Sequence, residues 1–223
     1  MPIGVLLSGC GVYDGAEAYE TVITLLALDR AGVEVRIMAP DVPQMHVVNH
    51  LTGQVLEGET RNVLVEAARL CRGEIEDVAG VFAAELDGLI IPGGFGAAKN
   101  LCDFASAGAE CTVQPEVARL VVDLLTLKKP IGAICIAPAL IAAILRDAKK
   151  TGRMTVGEGD GDGAVAAIQS MGCEHLDCPV EEYREDLELG LITTPAYMSA
   201  QRISEAAAGI EKLVARVLEL SVR

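Results

Sequence analysis

The chain has 223 residues, 51% hydrophobic and 22% charged, with a formal net charge of -14. That composition excludes a disordered chain, and the acidity disfavours nucleic acid and anionic membrane surfaces, which are bound through basic patches. The length suits one α/β domain spanning 1–223; two domains would each be small. With aromatic residues at 3% and no Trp, the core must be built of Val, Ile, Leu and Ala, which suits parallel strands covered by helices on both faces. Seven cysteines with no CxxC pair, and a start that runs from Met1-Pro2 straight into Ile3–Leu7 without basic residues, predict reduced thiols and a cytoplasmic location.

In chain order, Ile3–Ser8 is the first strand, followed by a helix over Ala16–Ala31 that Gly32 ends. Glu34–Ala39 is the second strand. Thr60–Cys71 has apolar residues at 64, 67, 68 and 71 and predicts a helix. Gly88–Ile91 is the third strand, and Pro115 starts a helix over Glu116–Leu127. The longest apolar stretch, Ile131 to Leu145, contains Gly132 and Pro138 and is too short to cross a bilayer as one helix. It predicts a buried strand, Ile131–Ile134, running into a buried helix. Gly157–Gly163 predicts a surface turn, and its acidic residues do not match an EF-hand loop. A strand over Leu189–Thr193 precedes a final helix with Ile203, Ala206, Ala207, Ile210, Leu213, Val214, Val217 and Leu218 on one stripe. Strands alternating with helices imply a mostly parallel, doubly wound sheet, whose reactive groups gather at the carboxyl ends of the strands.

Two turns at such ends carry chemistry. Ile131-Gly-Ala-Ile-Cys135-Ile-Ala-Pro138 reads as strand, sharp turn and helix, with Ala133 and Ala137 two positions either side of Cys135. This is the thiol counterpart of the G-x-S-x-G elbow, whose tight backbone admits only small neighbours. It thrusts the sulfur out at a helix N-terminus, which predicts a lowered thiol pKa and a nucleophilic thiolate. Leu89-Ile-Ile-Pro92-Gly93-Gly94-Phe-Gly96 is a strand ending in a glycine turn whose N–H groups can approach a ligand closely, as an oxyanion hole requires. It lacks the Lys-Ser/Thr ending of a P-loop.

Pro92-Gly93-Gly94 together with Ala133-Ile-Cys135 resembles the PfpI-like branch of the class I glutamine-amidotransferase-like superfamily. Gly15-Ala-Glu17-Ala-Tyr-Glu20-Thr-Val-Ile resembles that branch's first helix, in which a Glu faces the cysteine. Closer still is the resemblance to the ElbB-type family of glyoxalase-like proteins, once linked to isoprenoid biosynthesis. It rests on Leu7–Gly15, Asn49–Gly53, Thr60–Leu64, Pro92–Asn100, Ala109–Val113 and Thr193–Met198, which span nearly the whole chain. The resemblance implies a flavodoxin-like α/β three-layer sandwich, conversion of glyoxal to glycolate without metal or glutathione, a further deglycase activity, and a homodimer. One departure stands out. Amidotransferases carry a catalytic His and Glu near the carboxyl terminus, and the PfpI-like branch often has a His soon after the nucleophile. Here the histidines are His46, His50 and His175.

Glu20, one turn into the first helix, can reach over the strand ends and is the candidate general acid/base. Gly93, Gly94 and Ile136 are the candidate oxyanion donors, and His50 is a candidate third group. His46 and His50 have i, i+4 spacing, but Pro43 and Asn49 argue against a helix that would make them a zinc pair. Cys10 and Cys111 fit packing better than a pocket lining, and Lys99 fits solvation better than anion binding. The expected chemistry needs no cofactor and no metal: Cys135 adds to a small carbonyl substrate and Glu20 moves the proton. The alternatives are a cysteine redox sensor or partner-binding protein and, given the missing His, less readily a glutaminase.

Overall fold

A computed structural model describes residues 1–159 and 163–222; the middle of the Gly157–Gly163 turn lies outside the described residues. The elements run β1 (Ile3–Leu6), α1 (Ala18–Arg30), β2 (Val35–Ala39), a ribbon of β3 (Val48–Asn49) and β4 (Gln54–Val55), α2 (Val63–Ala67) and β5 (Glu76–Asp77). They continue as β6 (Gly88–Ile91), α3 (Phe95–Lys99), α4 (Phe104–Ala107), α5 (Pro115–Thr126), β7 (Ile131–Ile134) and α6 (Ala137–Asp147). The chain closes with β8 (Arg153–Met154), α7 (Ala164–Ser170), β9 (Glu174–His175), β10 (Arg184–Asp186), β11 (Leu191–Thr194) and α8 (Ile203–Ser221).

The main sheet has the order β10-β11-β7-β6-β1-β2-β5 and is parallel except for β10, which pairs antiparallel with β11. Side chains alternate between its two faces, as strand geometry requires. Leu6, Leu89, Ile91, Ile131 and Ala133 join one core with Leu120 and Leu124 of α5 and Ile141 of α6. Ile3, Val5, Ile90, Ile134 and Ile192 join the other with Leu28 of α1 and Ile210, Leu213 and Val217 of α8. The result is a three-layer α/β sandwich of the flavodoxin-like type. Helix α6 is buried from Ala137 through Leu145, as its uniformly apolar sequence predicts. Among the described residues no helix is long and apolar enough to cross a membrane.

Several boundaries differ from expectation. The helix predicted over Thr60–Cys71 starts only at Val63, where the Asn62 side chain accepts the Val65 N–H as an N-cap, and it tightens into a 3₁₀ turn over Ala68–Cys71. Strands β5 and β10 carry charged side chains at the sheet edges and give no apolar signal. Ile203 lies exposed in the first turn of α8, off the buried stripe.

The chain order explains where a site can form. From β1 the chain moves outward through β2 to β5, then returns to the other side of β1 with β6 and continues to β7 and β11. The direction reverses between β1 and β6, and the carboxyl ends at such a switch point border a crevice. The turn after β6 holds Gly93 and Gly94; the turn after neighbouring β7 holds Cys135.

Candidate active site

Cys135 sits between β7 and α6 with φ 62°, the left-handed region that costs an ordinary residue about 1–2 kcal/mol. The strain turns the side chain out of the sheet and toward the crevice, the geometry of a nucleophile elbow. The N–H groups of Gly94 and Ile136 lie beside its sulfur and favour its charged form. They are therefore aimed at the point where negative charge would develop beside the nucleophile.

Glu20 reaches the same point from α1. Its backbone N–H is held by the Glu17 carboxylate, the helix N-cap, at 2.7 Å. The Glu20 side chain is completely buried and lies beside the Cys135 thiol. Its Oε2 accepts the Gly93 N–H at 2.8 Å, and its Oε1 accepts the Tyr197 N–H at 3.4 Å. Tyr197 follows Ala196, whose φ of 43° is a second strained position, at the end of β11.

Gly93 is the contact between these groups. A Cβ there would lie 2.5 Å from the Cys135 Cβ and 2.8 Å from Glu20 Oε2, so only glycine lets the turn pass. Gly94, with φ 89°, then turns the backbone so that its N–H faces the sulfur.

Burial pushes the Glu20 carboxyl up to about 8, reinforced by the neighbouring Glu17 charge and opposed by the Gly93 and Tyr197 N–H donors. Cys135 is also raised, by burial first and by the Glu20 charge second; the Gly94 and Ile136 N–H groups pull it down by less. This corrects the expectation of a thiol depressed by the helix N-terminus: the N–H groups do not outweigh burial beside a carboxyl group. In the neutral range the pair holds both protons, and its first ionisation leaves one proton shared between sulfur and carboxyl.

The raised carboxyl has a consequence for stability. Unfolded, Glu20 ionises near 4.5; folded, it holds its proton to about 8. Its contribution to stability is complete below the unfolded value and is lost as pH rises through the folded one. The melting temperature of the native protein, relative to Glu20→Gln, should fall from about pH 4.5 to pH 8, by an amount equivalent to a few kcal/mol. A difference that stays flat across that range in calorimetry would contradict the protonated, buried state.

A cavity of about 510 Å³ opens over Cys135, walled by Glu17, Phe95, Phe104, Ile136, Tyr197 and Met198 among others. None of the three histidines lines it. His50 Nδ1 is 3.1 Å from the Val48 carbonyl and its Nε2 accepts the Tyr13 N–H at 3.2 Å, so one neutral tautomer is fully used in holding the β1 loop to the β3–β4 ribbon. His50 lies outside the cavity lining. His175 accepts the Val156 N–H. Cys10 and Cys111 also lie outside the lining. Lys99 spans from the Tyr13 carbonyl, at 2.8 Å, over the Phe95 ring and does not reach the cavity. Glu17 and Tyr197 are the site residues that sequence reasoning left unassigned. Tyr197 could have been found, because it follows the carboxyl end of β11.

Residues 10–159 match the model of the DJ-1/PfpI family. The chain belongs to the DJ-1/PfpI family. Like other relatives, it is similar to glutamine amidotransferase-like class 1 domain-containing protein 3, mitochondrial, of Homo sapiens, at 46% identity over 222 residues, covering 98% of this chain and 83% of that protein. The ES1 protein homolog, mitochondrial, of Rattus norvegicus is 44% identical over 222 residues, covering 98% and 84%. Among solved structures, the isoprenoid biosynthesis protein with amidotransferase-like domain from Ehrlichia chaffeensis superposes with a TM-score of 0.90 at 35% identity, covering 99% of each chain. Three curated relatives of this DJ-1/PfpI chain are mitochondrial proteins, which overturns the cytoplasmic expectation. That expectation rested on reduced cysteines, and a reducing interior is not peculiar to the cytoplasm.

Proposed function

We propose that this DJ-1/PfpI protein is an ElbB-type, cofactor-independent glyoxalase that converts glyoxal to glycolate. The observation that carries the reading is the Cys135–Glu20 pair: a thiol beside a buried carboxyl, both packed against Gly93, with the Gly94 and Ile136 N–H groups beside the sulfur. As the aldehyde carbon approaches, Glu20 takes the thiol proton and the sulfur adds to the carbon. The resulting oxyanion is held by the Gly94 and Ile136 N–H groups. Glu20 gives the thiol proton to the oxyanion, which completes the hemithioacetal, and then, as a carboxylate again, removes the proton from the hemithioacetal carbon and delivers it to the neighbouring carbon through an enediol. One carbon is oxidised and its neighbour reduced, so no external oxidant enters. Water hydrolyses the thioester to glycolate and frees the thiol.

The absence of any histidine around the cavity weighs against a glutaminase and against a Cys-His pair. A carboxyl with its pKa near 8 is suited to this proton transfer, since it can both give and take a proton close to neutral pH. The test is purified protein with glyoxal, methylglyoxal and glutamine, followed by NMR. Glyoxal should yield glycolate, with kcat/KM rising with pH toward about 8 as Glu20 gains its base form. Peroxide uptake at Cys135 with no glycolate would replace the enzyme by a redox sensor.

A further inference from the structure

The cavity over Cys135 is much larger than glyoxal, which is only two joined aldehyde groups. At about 510 Å³ it falls within the range of about 300–1,000 Å³ that holds drug-sized ligands. Its walls are apolar: Val12, Phe95, Phe104, Ile136 and Met198 face it, with Ala105 and Ala167 leaving room between them. Among the described residues that line it there is no Lys, Arg or His, and the ionisable side chains are Glu17, Tyr197 and Cys135 itself.

These features act together. An anionic carbonyl compound, such as a phosphorylated sugar, would find no counter-charge here and would meet the Glu17 carboxyl group. A strongly hydrated small aldehyde would exchange water for apolar walls and gain no hydrogen bonds beyond those at the sulfur. An apolar substituent would instead remove wall and ligand surface from water together.

We infer that the substrate is an uncharged 2-oxoaldehyde, R–CO–CHO, whose R group is an apolar chain or ring that occupies this cavity, with glyoxal its minimal fragment. This rests on the glyoxalase reading above and adds the substrate class. The aldehyde carbon bonds to the Cys135 sulfur; Glu20 moves the proton from that carbon to the adjacent carbonyl carbon; water cleaves the thioester. Overall R–CO–CHO and one water give R–CHOH–COOH, with no oxidant or reductant consumed. The product is an anion in an apolar cavity beside Glu17, an arrangement that favours its release.

The experiment compares kcat/KM of the full chain for glyoxal and for 2-oxoheptanal, a straight-chain alkyl member of the class. The alkyl substrate should be favoured by at least about tenfold, the scale set by apolar groups in hydrophobic pockets. Ala167→Phe, which fills part of the cavity, should shrink that preference. Glyoxal turnover with no preference for 2-oxoheptanal would overturn this inference and leave the glyoxalase reading standing. No turnover of either compound would remove the glyoxalase reading and this inference with it.

Discussion

Glu20→Gln is expected to lower glyoxal turnover by about 10²-fold or more, the usual scale of general acid–base catalysis. The amide keeps an acceptor for the Gly93 N–H but cannot carry a proton back and forth. The same change should speed alkylation of Cys135 above about pH 8, where Glu20 is charged in the native protein. The Glu20 charge holds the thiol proton on sulfur and disappears in the variant, while the Gly94 and Ile136 N–H groups remain. A loss of turnover with a gain in thiol reactivity is the signature of a proton shuttle. A residue that merely supported the fold would lose both together or neither. Iodoacetamide labelling with site mapping, run beside the turnover assay on one preparation, separates these outcomes.

Gly93→Ala is expected to be the most damaging single methyl in the site. The new Cβ would press on the Cys135 Cβ at 2.5 Å and on both Glu20 Oε2 and the Ile134 carbonyl at 2.8 Å. Two of these neighbours are fixed by β7 and the elbow, and Glu20 is fully buried, so relief must come from moving the reacting groups. Overpacking of this kind costs about 1–3 kcal/mol of stability. A displacement of catalytic groups by about 1 Å can cost 10²-fold in rate. Turnover should therefore fall by about two orders of magnitude and the melting temperature should drop. A variant with native melting temperature and native turnover would show that the three groups are not held against one another.

Much of this arrangement was legible in the sequence, for identifiable reasons. The inner strands are apolar runs, and the elbow announces itself by small residues at fixed offsets from Cys135. The glycine turn after β6 needs Gly93 and Gly94 for contact and conformation, so the sequence there is nearly forced. Glu20 emerged because the first helix follows β1 and overhangs the strand ends. What escaped was whatever depends on long-range packing. The edge strands β5 and β10 are charged and two or three residues long, so nothing in their pattern marks them. The state of the Cys135 thiol also escaped, because local sequence shows the helix N-terminus but not the complete burial of Glu20 beside it. His50 was misplaced for a related reason: its partners, Tyr13 and Val48, come together only when the β3–β4 ribbon folds over the β1 loop. The apolar walls come from α3, α4, α7 and the turn after β11, short segments whose convergence no periodicity reveals.

The central claim is that turnover passes through a covalent bond to Cys135, and it is tested most directly by trapping that bond. Protein quenched during glyoxal turnover should carry, on the peptide containing Cys135, the added mass of a glycolyl thioester. That adduct should decay at the rate at which glycolate appears and be absent from Cys135→Ala, which should make no glycolate. Glycolate formed at the native rate by Cys135→Ala, or formed by the native protein with no adduct on Cys135 at any time, would contradict the account.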